Sequence, residues 1–275
     1  MSTAKKTPTL VDVKIKRINL REKNAKYIDD CIAVETPARI YVNGQNVITL
    51  LCLPTQLREL GIGWLLSQGI VKSLDEITDV ELKENDVRIT CSDRLINQKI
   101  ETRIKAAGIM GIVDSACGST TEDFLLLSDR IAKPFVNSNY RVKAEDILRN
   151  VKVLNEKSSI FKLTGGTHSA AIFCEGKLVA FAEDIGRHNA VDKVIGEAAT
   201  SKKVNFSNCV IASTGRQPAN MVLKASRVGI PIVASIAGPV QSGVDAATKT
   251  GVTLICFVRG ERMNVYSFPE RIETT

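Results

Sequence analysis

The 275 residues are 44% hydrophobic and 24% charged, the balance of a soluble globular chain long enough to bury a core in one large domain or in a main domain with a smaller companion. No apolar run approaches the roughly 20 residues of a membrane span, and Met1 to Thr9 lack the apolar centre of a signal peptide, so a cytoplasmic protein with no membrane partner is expected. A formal charge of +7 favours an acidic ligand, but the basic residues are dispersed and only 5% of residues are aromatic, which argues against nucleic acid.

From Val11 to about Leu53 the pattern is strand-like: Val11, Val13 and Ile15 alternate, and Arg39-Ile-Tyr-Val42 leads into the turn Asn43-Gly44. A β meander is expected there. Pro54-Thr55 opens a helix in which Leu57, Leu60, Trp64, Leu65 and Leu66 make an apolar stripe closed by Gly69. Val80 to Lys83 and Val87 to Thr90, divided by Glu84-Asn-Asp86, predict a hairpin. Gly108 to Thr121, with three glycines and no regular period, reads as an exposed loop. Pro134 and Asn137-Ser-Asn139 suggest a boundary, giving a β-rich region over 10–140 and an α/β domain over 141–275. Beyond it a helix over Ala144 to Lys157 precedes strands near Leu178–Phe181, Val210–Ala212, Ile232–Ala234 and Val252–Val258, with helices over Met221–Val228 and Val244–Thr250. This is α/β punctuation, with strands buried on both faces.

The stretch Phe181 to Gly196 carries two adjacent acids, a Gly186-Arg187-His188 turn and a helix start, Ala190, Val191, Val194 and Ile195 recurring at helical spacing. A turn of this kind aims backbone N–H groups and a helix dipole at one point, which suits a phosphate or carboxylate. Thr164-Gly-Gly-Thr-His168 and Ser213-Thr-Gly-Arg216 have similar design. Ligands of open α/β sheets settle at the carboxyl ends of strands, where glycine admits an anion and Arg187 and Arg216 can clamp it. Each turn taken alone is equally well a helix boundary with a solvated arginine; together they favour a nucleotide or another phosphate-rich ligand. None fits a phosphate loop or a Rossmann fingerprint. Asp192 and Lys193 read as a solvated helix face.

Seven cysteines, an odd and scattered set with no Cys-x-x-Cys, make a disulfide framework unexpected. Cys31, Cys52, Cys91, Cys174, Cys209 and Cys256 sit in or beside apolar strand-like runs, where a thiol is a small buried hydrophobe. Cys117 differs: Ser115, Ala116, Gly118, Ser119 and Thr120 flank it in the irregular loop, where a thiol is reachable and backbone amides can stabilise the thiolate. The alternative is a loop cysteine without a role. The two histidines, His168 and His188, have no paired thiols and no His-x-Glu, so no catalytic zinc is expected.

Thr164-Gly-Gly-Thr-His-Ser-Ala-Ala171 and Glu183 to Gly196 closely resemble the two signature segments of the formate dehydrogenase accessory sulfurtransferases, the FdhD/NarQ family. Glu35 to Gly44, Gly251 to Gly260 and Met263 to Ser267 are similar to it too, so the resemblance runs from about residue 11 to 268. What it implies is a carrier that takes sulfane sulfur from a cysteine desulfurase as a persulfide on Cys117 and passes it to the bis-molybdopterin guanine dinucleotide molybdenum cofactor required by formate dehydrogenase. The implied fold is a cytidine-deaminase-like three-layer α/β/α C-terminal domain without zinc, beside a smaller β-rich α+β N-terminal part, paired as a homodimer. The implied cofactor contacts are Arg187, Arg216 and the segment Phe257, Val258, Arg259, Gly260, Glu261 and Arg262, with Gly165, Gly166, Gly186 and Gly215 giving backbone access, and His168 and His188 nearby. His188 either bonds the ligand or is satisfied by local backbone. GDP would be a partial mimic.

The chain departs from the family pattern twice. Thr120 stands where the loop normally has a second cysteine, and Gln217-Pro-Ala-Asn220 replaces a Ser- and Glu-containing run. One thiolate still suffices to attack a persulfide. The competing readings are a cofactor-binding chaperone that has lost efficient sulfur transfer and a zinc nucleoside deaminase.

Overall fold

A computed structural model of the chain describes residues 7–92, 96, 98, 100, 112–113, 135–201 and 204–274. Strands β1 (Leu10–Asn19) and β2 (Asn24–Ala33) form an antiparallel ribbon of their own. Strands β3 (Thr36–Val42) and β4 (Gln45–Cys52) make a hairpin over Asn43 and Gly44, both at positive φ (47° and 84°), as a right-twisted two-residue turn requires. Helix α1 (Leu57–Ser67) follows, then the predicted hairpin of β5 (Ile77–Lys83) and β6 (Asp86–Cys91), and the short β7 (Ile112–Val113). The five strands order as β5-β6-β3-β4-β7.

The expected continuous meander is therefore split, for β3 pairs with β4 and β6 and leaves β2 aside. The cause is burial: Ala38, Ile40 and Val42 of β3 are wholly buried and find Val87 and Ile89 of β6, whereas most β1 and β2 side chains are exposed.

After β8 (Val142–Lys143), helices α2 (Ala144–Lys157) and α3 (Ser159–Thr164) lead into β9 (His168–Cys174) and β10 (Lys177–Asp184). Helix α4 (Arg187–Thr200), β11 (Cys209–Ser213), α5 (Ala219–Val228), β12 (Ile232–Ser235), α6 (Gln241–Thr250), β13 (Thr253–Arg259), β14 (Arg262–Val265) and β15 (Ile272–Glu273) complete the chain. Six strands order as β10-β9-β11-β12-β13-β14, with β11, β12 and β13 parallel and β9 antiparallel to β10 and β11. Because successive strand residues point to opposite faces, Ala171, Phe173, Val210 and Ala212 meet Ile147, Val151 and Leu154 of α2. Ala170, Ile172, Ile211 and Val233 instead meet the apolar residues of α4 and α5. The three-layer α/β/α arrangement expected of this half results. Helix α1 packs on the outer side of α4 and joins that core to β3, β4 and β6.

Candidate functional site

The ends of β10 and β11 and the start of β9 share one edge of the six-stranded sheet: Asp184 lies opposite His168, and Ser213 opposite Ala170 and Ser235. The three glycine turns found in the sequence meet there. Thr214 Oγ1 lies 3.2 Å from His168 Nδ1 and accepts from Ser169 N at 3.0 Å. Gly215 is required by proximity, since a Cβ there would stand 2.8 Å from Arg187 Cβ and 2.9 Å from its Cδ. Burial and then the charges of Arg187 and Arg216 lower the pKa of His168, so both guanidinium groups act on the same spot.

The β13–β14 segment reaches the same edge through the turn after β12. A Cβ on Gly238 would lie 2.7 Å from the Phe257 ring, Phe257 N donates to Ala237 O, and Arg259 Nε donates to Ile236 O at 2.9 Å. Phe257 itself takes φ of 54°, turning its ring outward from the sheet alternation. Val258 is 2% exposed and belongs to the α2-side core, so its side chain packs rather than faces a ligand; Gly260, Glu261 and Arg262 are exposed.

The amides of the four glycines donate within the protein: Gly165 to Phe161 O, Gly166 to Thr164 Oγ1, Gly186 to Asp184 Oδ1 and Gly215 to Ser213 Oγ. The positive character of this edge rests on arginine side chains rather than on free glycine N–H groups, because the turns close their own hydrogen bonds before any ligand arrives.

The acids of the signature do structural work. Glu183 caps α3, accepting from Ile160 N at 2.9 Å, Phe161 N at 2.8 Å and Thr167 Oγ1 at 3.1 Å. Asp184 accepts from Leu53 N, Gly186 N and Asn189 Nδ2 and pairs with Lys193 Nζ at 2.6 Å. Asp192 pairs with Lys224 at 2.7 and 2.8 Å and accepts from Ser67 Oγ. The solvated face expected for Asp192 and Lys193 is overturned, as they are 1% and 0% exposed. Helix α4 is covered by the sheet on one side and by α1 and α5 on others, leaving that face no water. The sequence signal was available in retrospect: adjacent charges followed by Val194, Ile195 and Gly196, in a helix with no wholly polar face.

His188 shares a hydrogen bond with Asn220, while its Nε2 is buried with no hydrogen-bond partner among the described residues. Burial first, then the charges of Lys224 and Arg187, push its pKa down to about 3. An unfolded histidine protonates near pH 6.5. Between those values the unfolded chain binds the extra proton, so this contribution to stability is intact above about pH 6.5 and lost as the pH falls toward 3. The melting temperature should drop between pH 7 and 4, and His188→Gln should shallow that slope; an identical slope in the variant would show that His188 is not the group responsible.

Comparison with known proteins gives a consistent result. The family model described as FdhD/NarQ family matches residues 33–273. The chain belongs to the FdhD/NarQ family. It is 37% identical to the sulfur carrier protein FdhD of Methanothermobacter thermautotrophicus over 92% of this chain and 98% of that protein, and 33% identical to that of Saccharolobus solfataricus over 94% and 99%. It is also similar to the crystal structure of a proposed formate dehydrogenase accessory protein from Desulfotalea psychrophila, with a TM-score of 0.75 at 27% identity, covering 97% of this chain and 100% of that one.

In this FdhD/NarQ chain, Cys117 and Thr120 lie outside the described residues. Cys52, Cys91, Cys209 and Cys256 are buried, and Cys31 and Cys174 partly so. Burial pushes the Cys52 and Cys256 thiols up to about 12 and Cys91 to about 11, and raises Cys209 as well. These four are protonated at neutral pH and, their pKa values being raised by burial, poor nucleophiles toward a persulfide carried by another protein. Among the described residues no three His, Cys, Asp or Glu gather as metal ligands, and no helix is long and apolar enough to cross a membrane.

Proposed function

We propose that this chain is a sulfur carrier in formate dehydrogenase maturation, taking sulfane sulfur from a cysteine desulfurase onto Cys117 and passing it to a guanine-dinucleotide molybdenum cofactor held as cargo. The observation that carries the reading is the meeting of Arg187, Arg216, His168 and Thr214 at one sheet edge, in a chain whose relatives are named sulfur carrier proteins. Two guanidinium groups beside an imidazole suit a diphosphate: the arginines supply charge and bidentate donors, and the imidazole adds a hydrogen bond.

In the transfer, the Cys117 thiolate attacks the terminal sulfur of the desulfurase persulfide and the desulfurase cysteine leaves as its thiolate. The burial of four other thiols supports this choice of nucleophile. Arg187, Arg216 and the exposed Arg259 orient the dinucleotide. Thr120 favours a second reading, a cofactor-binding chaperone without efficient transfer, because only one thiol remains in that loop.

One experiment with two arms separates these. With a cysteine desulfurase and free cysteine, the intact mass should rise by one sulfur atom, and Cys117→Ala should abolish the gain. GDP titration should show Arg216→Ala binding at least about tenfold more weakly, since a charged hydrogen bond contributes about 1.5 to 3 kcal/mol. A sulfur adduct persisting in Cys117→Ala overturns the nucleophile; GDP binding without any adduct leaves the chaperone.

A further inference from the structure

At the end of β9 and β11 remote from His168 and Thr214, about 20 Å away at about 3.3 Å per residue, Cys174 lies directly opposite Cys209. The flanking pair is hydrogen-bonded, Glu175 N donating to Asn208 O at 3.3 Å. Cys174 and Cys209 therefore occupy a non-hydrogen-bonded position, where antiparallel Cα atoms come closest, about 4.5 Å. That falls within the about 4.4 to 6.8 Å that a disulfide spans. Both thiols donate to one carbonyl, Cys174 Sγ at 3.6 Å and Cys209 Sγ at 3.2 Å from Asn205 O, which brings the two sulfurs to the same point. Tyr140 lies close enough for both to raise the pKa of its hydroxyl, after the effect of burial. Cys174 is partly exposed; Cys209 is wholly buried.

We propose that Cys174 and Cys209 are a redox-active thiol pair that closes to a disulfide by exchange with a low-molecular-weight disulfide. Cys174, the reachable sulfur, gives up its proton and attacks one sulfur of the oxidant, expelling the first small thiolate. Cys209 then gives up its proton and attacks Cys174 Sγ, expelling the second. Two protein thiols are oxidised, the oxidant is reduced to two thiols, and the two protons go to the departing thiolates. The bond locks the register of the two strands whose far ends carry His168 and Thr214. None of this depends on Cys117.

The test treats the reduced full chain with glutathione disulfide, then alkylates it in denaturant and digests it without reduction. A Cys174 peptide joined to the Cys209 peptide is expected, with both thiols lost from alkylation; Cys174→Ser should abolish the link and leave Cys209 alkylated. Three results overturn the proposal: a lasting glutathione adduct on Cys174 with Cys209 still alkylated, both cysteines alkylated throughout, or Cys174 joined to a different cysteine.

Discussion

Asp184→Ala is expected to destabilise the fold by about 4 kcal/mol, the middle of the range for removing one partner of a buried ion pair. Lys193 Nζ would stay wholly buried with only Leu53 O, Thr55 Oγ1 and Glu183 O to solvate it. Leu53 N and Gly186 N would lose their acceptor in the same step, and Asn189 Nδ2 would keep only Leu51 O. Against the roughly 5 to 15 kcal/mol that holds an ordinary domain together, such a loss brings the chain near the threshold of unfolding at ambient temperature. Urea denaturation should show a lower midpoint with unchanged slope. If the variant is too unstable to purify, Asp184→Leu with Lys193→Met tests the same point, since removing both charges should recover the part of the loss that comes from the unpaired ammonium, while Leu53 N and Gly186 N stay without their acceptor. A loss below about 1 kcal/mol for Asp184→Ala would mean that the pair does not hold the fold.

The second large effect lies one turn further along α4. Helices α1 and α4 cross with Gly63 against Gly196: a Cβ on Gly63 would collide with Asp192 O, and one on Gly196 with Glu59 O. Intrinsic propensity favours alanine over glycine in a helix by about 1 kcal/mol. The clash is with backbone, which cannot rotate aside, and should cost about 3 kcal/mol or more, so destabilisation wins. Gly61→Ala is the control, because its Cβ would meet the side-chain atoms Val87 Cγ1 at 2.7 Å and Ile89 Cδ1 at 3.2 Å. Thermal melts should rank wild type above Gly61→Ala, and Gly61→Ala above both Gly63→Ala and Gly196→Ala. Gly196→Ala melting at or above wild type would contradict the close crossing.

Much of the local structure was legible because it is written in neighbouring residues. The apolar period of Ala144 to Lys157 gives α2 to the residue, and Asn43-Gly44 and Glu84-Asn85 mark the two hairpins. Gly186-Arg187-His188 at a strand-to-helix turn was also readable, from the apolar run before it and the helical spacing after it. The meander was not, since strand alternation says which face of a strand is apolar but not which strand it pairs with. The fate of the glycine amides was not readable for a similar reason: a glycine turn shows that backbone can approach, and only the folded turns show where its N–H groups donate.

By itself the sequence determined the family, the order of elements in the α/β half and the three turns that carry Arg187, Arg216 and His168, because periodicity and motif spacing act over a few residues. Tertiary structure alone decided the fate of the charges and thiols. Ser67 reaches Asp192, Leu53 reaches Lys193, and Cys174 faces Cys209 only because the folded chain brings them together across long separations. An aspartate–lysine dipeptide is a solvated face or a buried clamp according to what covers it, and two scattered cysteines become a pair only when strand register aligns them. Burial and register are properties of the assembled core, set by contacts that no local stretch of residues contains.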